Sequence, residues 1–202
     1  MKKIVFVLTL SFISLFVFSS LGQACVGRVL VVATSNSPDQ VVMGQMVATL
    51  INERTGTTVE IVQLDNMEKC QETVKKEEAN IFIGYVGTAW ASTGHAGKID
   101  DPQKGYTLVS QFYLDTFSMV WLKPFGYQGP LSSEGSDNNG HTSLAAPVTT
   151  KDVLKKFPVL DRVINKLAGR IDDNTIEELR KKAETQPVEE VVREFLKSEK
   201  LI

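Results

Sequence analysis
The chain has 202 residues, with 22 lysines and arginines against 24 aspartates and glutamates, and a formal charge of −2. A slightly acidic chain without a basic patch or interleaved aromatics speaks against nucleic acid as a partner. A chain of this length is enough for one domain with a sizeable core.

Residues 1–24 read as an export signal and are set aside from the fold. Lys2 and Lys3 form a basic start, Ile4 to Phe18 is an almost unbroken apolar run, and Gly22-Gln23-Ala24 supplies the small residues a signal peptidase reads. The run is shorter than the ~20 apolar residues that span a bilayer. A periplasmic or otherwise extracytoplasmic chain starting near Cys25 is expected. Lipidation at Cys25 is the rival, but Gly22 stands where a lipobox carries a bulky apolar residue.

Arg28 to Thr34 is short and β-branched, as a strand buried on both faces would be. Ser37, Pro38 and Gln40 then give a capping box with proline at the first helical position. Val41, Val42, Met46, Leu50 and Ile51 form an apolar stripe, and Gly56 stops the helix. Thr58 to Gln63 is a second strand. Asp65 and Glu68 open a second helix with Met67, Cys70 and Val74 on one face, and Asn80 to Ile83 is a third strand. This β-α-β-α-β alternation predicts an α/β fold, a mostly parallel sheet flanked by helices. Cys25 and Cys70 fall on neighbouring elements of that layout, and an oxidising compartment favours a disulfide between them. The plainer alternative is a free terminal thiol and a small apolar Cys70.

Two further strands are expected at 106–112 and 116–122. Residues 127–143, YQGPLSSEGSDNNGHTS, have the composition of a flexible loop. Leu144 to Val148 re-enters the sheet, and the C-terminal tail is helical over 151–157, 160–167, 173–183 and 187–196. Enzyme chemistry finds little footing. His95 and His141 are the only histidines, neither in metal-ligand spacing, and no nucleophile elbow or phosphate-cradling loop is present. No cofactor or metal is expected. The runs Lys75-Lys76-Glu77-Glu78 and Arg180-Lys181-Lys182 read as solvated helix faces.

The stretch Ile81-Phe82-Ile83-Gly84-Tyr85-Val86-Gly87-Thr88 is unusual in carrying a tyrosine between glycines at the end of a core strand. Together with Glu77 to Asn80 it resembles the G-E-I-D-I-Y-P-E-Y-T-G-T of the extracytoplasmic substrate-binding proteins of quaternary-amine (glycine betaine, choline, carnitine) ABC transporters. That family's T-E-Q appears as Pro38-Asp39-Gln40. Its W-L-x-P-x-G-F appears as Trp121-Leu122-Lys123-Pro124-Phe125-Gly126-Tyr127. Its closing pattern is echoed by Ala146-Pro147-Val148, Pro158 and Phe195-Leu196. Asn80 and Gly84 depart from it, each replacing an acidic residue.

The resemblance implies a type II periplasmic-binding-protein fold. In that family a second lobe follows the W-L-x-P-x-G-F strand. Residues 127–143 are far fewer than the roughly 50 that a small domain needs, so residues 25–202 read as one lobe. The resemblance further implies a small quaternary-amine ligand, a transporter membrane subunit as partner, and Tyr85 as a wall of a cation box. Ligands of open α/β sheets bind beyond the strands' carboxyl ends, where Thr88, Asp39, Gln40 and Asn66 are also expected. Tyr113 is a candidate second wall, and Trp121 reads as core. Alternatively Tyr85 plugs the sheet edge, and Asp39 and Gln40 serve the helix start. A single lobe leaves an exposed cleft face around Tyr85, Asp39 and Tyr127, which a homodimer or another partner would cover.

Overall fold
The computed structural model describes residues 29–93, 101–129 and 143–202. The leader, Cys25, His95 and His141 lie outside them. Five strands form one sheet: β1 (Leu30–Ser35), β2 (Val59–Leu64), β3 (Ile81–Tyr85), β4 (Met119–Trp121) and β5 (Ala145–Thr150), in the order β2-β1-β3-β5-β4. β1 runs parallel to β2 and β3, while β5 is antiparallel to both its neighbours. Four strands therefore share one direction and only β5, the returning segment, opposes them.

Alternation along β3 divides the core. Ile81, Ile83 and Tyr85 belong to the cluster beneath α1 (Pro38–Thr55), and Phe82 to the cluster on the other face. On the first face α1 is itself covered by α6 (Leu160–Ile164, continued as a 3-10 turn over Asn165–Leu167), α7 (Asp173–Ala183) and α8 (Val188–Ser198). That double cover explains why α1 is buried well beyond its expected stripe, with Met43 and Val47 fully inside. The second face carries α2 (Met67–Lys75), α3 (Val86–Ser92) and α4 (Pro102–Phe117); α5 (Lys151–Lys156) follows β5.

Several local expectations are revised. Residues 106–112 are helix, not strand. Asp101 accepts from the amides of Gln103 and Lys104, Pro102 occupies the first turn, and Gly105, Val109 and Tyr113 face inward at a spacing of one helical turn. Only Met119–Trp121 of the expected 116–122 strand is sheet. The Tyr106 hydroxyl donates to the carbonyls of Trp121 and Leu122 at 3.1 and 3.0 Å, satisfying backbone at the sheet's end. Residues 86–92 form the short helix α3 directly after β3. The helix before Glu77 ends at Lys75, and Glu77 takes a left-handed φ of 60°.

The expected Cys25–Cys70 bridge is not found among the described residues: Cys70 is a free thiol, wholly buried with Ala33, Val74 and Phe82, and Cys25 lies outside them. The α2 face turns it into the core, and burial pushes its pKa up to about 11. In a Cys25→Ser variant of the full chain, Cys70 is expected to resist iodoacetamide until denaturant is added. Rapid labelling of the native protein, read by mass spectrometry, would contradict this placement.

Candidate functional site
The carboxyl ends of β1 and β3 and the start of α1 meet under a cover built from distant parts of the chain. Segment 122–129 runs antiparallel to 143–148, with Phe125 N–H donating to Ala145 O (3.0 Å), Ala145 N–H to Tyr127 O (2.9 Å) and Ser143 N–H to Gln128 O (2.9 Å). The same segment is tied to the approach of α7: Ile171 N–H donates to Phe125 O (3.1 Å), and Gln128 N–H to the Asp173 carboxylate (2.9 Å). These bonds fix Tyr127 over the strand end.

Tyr127 donates its hydroxyl proton to Asp39 Oδ2 in a short hydrogen bond, and its ring meets that of Tyr85 edge-on, centroids 6.3 Å apart. Asp39, in the first turn of α1, is 3% exposed. Its other oxygen, Oδ1, lies 3.0 Å from Arg180 Nη1 on α7, an ion pair without hydrogen-bond alignment, since Oδ1 has no hydrogen-bond partner. Tyr85 is 8% exposed and its hydroxyl is unpartnered; it lies near Gln40 without the geometry of a bond to it. Burial raises the pKa of both tyrosines well above the usual range, and for Tyr127 the bond to Asp39 adds to the effect.

The sequence candidates thus separate. Tyr85, Asp39 and Gln40 come together, and Tyr127 joins them. Gln40 is not a capping residue: its Nε2 donates to Ile83 O at 3.2 Å and contacts Met67 Sδ at 3.4 Å, and Ser37 makes no side-chain cap. Thr88 is half-buried and lines a small pocket together with Tyr85, Met67, Gln71, Gly84 and Trp121. That pocket has about 20 Å³ of free volume, roughly what one water requires. Asn66 is exposed and caps α2, its Oδ1 accepting from Lys69 N–H at 2.9 Å. Asp65 pairs with Lys69 in the same turn.

Tyr113 is fully buried behind the pocket, its ring edge-on to Trp121 at 5.5 Å and its hydroxyl bonded to Gln71 and Ser92. It supports the pocket and is not an open wall. Trp121 is core, as expected, with its indole N–H unpartnered. The glycines serve internal packing. A Cβ on Gly84 would lie 2.7 Å from the Trp121 ring, and one on Gly87 3.0 Å from the Ser143 hydroxyl, which accepts from Gly87 N–H. The expected exposed face around Tyr85, Asp39 and Tyr127 is interior, each being under 9% exposed.

Arg180 and its charge pairing with Asp39 escaped the sequence reading, which placed it with its neighbours on a solvated face. Lys181 and Lys182 do lie there, paired one turn back with Glu177 and Glu178. Arg180 is offset from them around the helix and reaches α1.

Residues 28–132 and 96–198 match the family of the substrate binding domain of ABC-type glycine betaine transport systems. Among solved structures, that of a glycine betaine/carnitine/choline ABC transporter is similar with a TM-score of 0.76 at 16% identity, over 85% of this chain and 99% of that one. Apo YehZ from Escherichia coli follows with 0.72 and 12%, over 86% and 99%. Lactococcal OpuAC, closed on glycine betaine, gives 0.54 and 13%, over 86% and 96%. At these identities the likeness establishes the fold. No curated protein matches the chain in sequence.

Proposed function
Since the chain belongs to the family of substrate-binding domains of ABC-type glycine betaine transport systems, we propose that it is a single-lobe extracytoplasmic binding component that holds a quaternary amine at the carboxyl end of β3. The family is one of binding proteins and not of enzymes. A membrane subunit of an ABC transporter is the partner this reading implies. The leader at 1–24 accords with export, and no described helix is long and apolar enough to cross a membrane.

The observation that carries the reading is Tyr85, placed at a strand end of this fold beside a second tyrosine and a buried carboxylate. A quaternary ammonium has no N–H to donate, so it is held by the negative faces of aromatic rings, each worth ~0.5–2 kcal/mol. Tyr85 and Tyr127 would supply the rings, Asp39 the compensating charge, and Gln40 a polar contact. Thr88 lines the same small pocket as Tyr85 and would contribute a hydroxyl where that pocket opens. The Gln128–Ser143 hydrogen bond brings the chain ends on either side of 130–142 together. This fits residues 127–143 as a short loop in place of the second lobe.

One lobe buries less of a ligand than the 70–90% usual in tight sites, so binding is expected to be weak. Calorimetry on the full chain is expected to give choline and glycine betaine dissociation constants of about 1 mM or higher, near −4 kcal/mol. Tyr85→Leu is expected to abolish the heat, and 3,3-dimethylbutanol, choline's uncharged carbon analogue, to bind at least about tenfold more weakly. Equal binding of the analogue would refute the cation–π reading, and tight 1:1 binding would refute the single-lobe reading.

A further inference from the structure
Asp39 is unlike every other acid in a described ion pair. Its side chain is 4% exposed, whereas the remaining pairs join side chains that are each a third or more exposed. A buried carboxylate needs compensation, and its two oxygens obtain it in different ways. Oδ2 takes a directed hydrogen bond from Tyr127, while Oδ1 faces Arg180 at 3.0 Å with no such bond. What Oδ1 receives is positive charge, and a quaternary ammonium offers positive charge without a donor.

We propose that Arg180 determines the specificity of this site, its guanidinium holding the cation position beside Asp39 so that a quaternary ammonium reaches Tyr85 only by displacing it. The inference rests on the functional reading above and names the residue that controls it. Arg180 is able to leave. Its side chain is 44% exposed, it sits in the last turn of α7, and water can solvate it when it swings out. The closed arrangement also leaves the Tyr85 hydroxyl and Gln40 Oε1 buried without partners, which lowers the cost of opening the cluster to water or ligand. A neutral ligand gains nothing from the vacated charge, so displacement selects for cations.

The test compares the full-length wild type with Arg180→Met, using Lys181→Met as a control from the solvated face. Choline affinity is measured by calorimetry, and exposure of Tyr85 by tetranitromethane nitration with peptide mass spectrometry. Removing the guanidinium is expected to tighten choline binding at least about tenfold, a modest figure for an unpaired buried carboxylate. It is also expected to make Tyr85 reactive, with Lys181→Met unchanged in both. Equal choline affinity in wild type and Arg180→Met would overturn the proposal. If neither protein binds choline, the ligand assignment fails. Reactivity of Tyr85 in Arg180→Met alone would then still support closure by Arg180, and unchanged protection would refute that as well. Arg180→Gln serves the same comparison if circular dichroism shows the methionine variant unfolded.

Discussion

Gly84→Ala is expected to lower the unfolding free energy by about 2–3 kcal/mol and the melting temperature by roughly 4–12 °C for a chain of this size. The added methyl would meet the Trp121 ring at 2.7 and 3.1 Å and Val148 at 3.1 Å. None of these atoms is the end of a flexible side chain, and β3 lies between β1 and β5 with no room to shift. A swap to phenylalanine at Trp121 deletes the ring atoms in question. The double variant Gly84→Ala/Trp121→Phe is therefore expected to be less destabilised than the sum of the two single changes. Strict additivity in thermal or urea unfolding would show that Gly84 does not exist to admit Trp121. A glycine that looks like a place for a ligand to come close is filled from within.

Asp39→Ala carries the second large effect, a loss of about 2 kcal/mol. The Tyr127 hydroxyl, inside a residue 4% exposed, would lose its acceptor, and an orphaned buried hydroxyl costs about 1–3 kcal/mol. The loss of Arg180's partner adds little, because a half-exposed guanidinium turns to solvent. Asp39→Asn keeps an acceptor for Tyr127 and is expected to retain most of the stability while losing the charge. Chemical denaturation of the two variants checks the order. If asparagine proves as damaging as alanine, the ion pair and not the Tyr127 bond holds this end of the sheet.

The half of the fold before Tyr85 was plain in the sequence because each signal was local. The β-branched runs gave β1 and β2, and Gly56 stopped α1 with a left-handed φ of 69°. Residues 106–112 misled because Tyr106, Thr107, Val109 and Phe112 suit a strand equally well. The Asp101-Pro102 start and the buried four-residue spacing of Gly105, Val109 and Tyr113 were the better guide. α3 was hidden by Gly84 and Gly87, whose small size answers Trp121 and Ser143 and not a turn.

The site was half legible. Tyr85, Asp39 and Gln40 follow from strand ends and helix starts, which sequence patterns locate. Arg180 does not follow, since only tertiary packing of α7 over α1 distinguishes it from Lys181 and Lys182. Burial of Tyr127 likewise depends on the hydrogen bonds that clamp 124–128 to 169–173. Cys70 turned inward for a similar reason, the facing of α2 on the sheet.

The most direct measurement is a nuclear magnetic resonance titration of the full chain, with tyrosine rings isotopically labelled, against glycine betaine and choline. A weak, saturable shift at Tyr85 and Tyr127, accompanied by a change at the Arg180 side chain and little at Tyr106 or Tyr113, is the predicted result. Saturable binding of either ligand that leaves the Tyr85 and Tyr127 rings unmoved would place the ligand elsewhere and contradict the account.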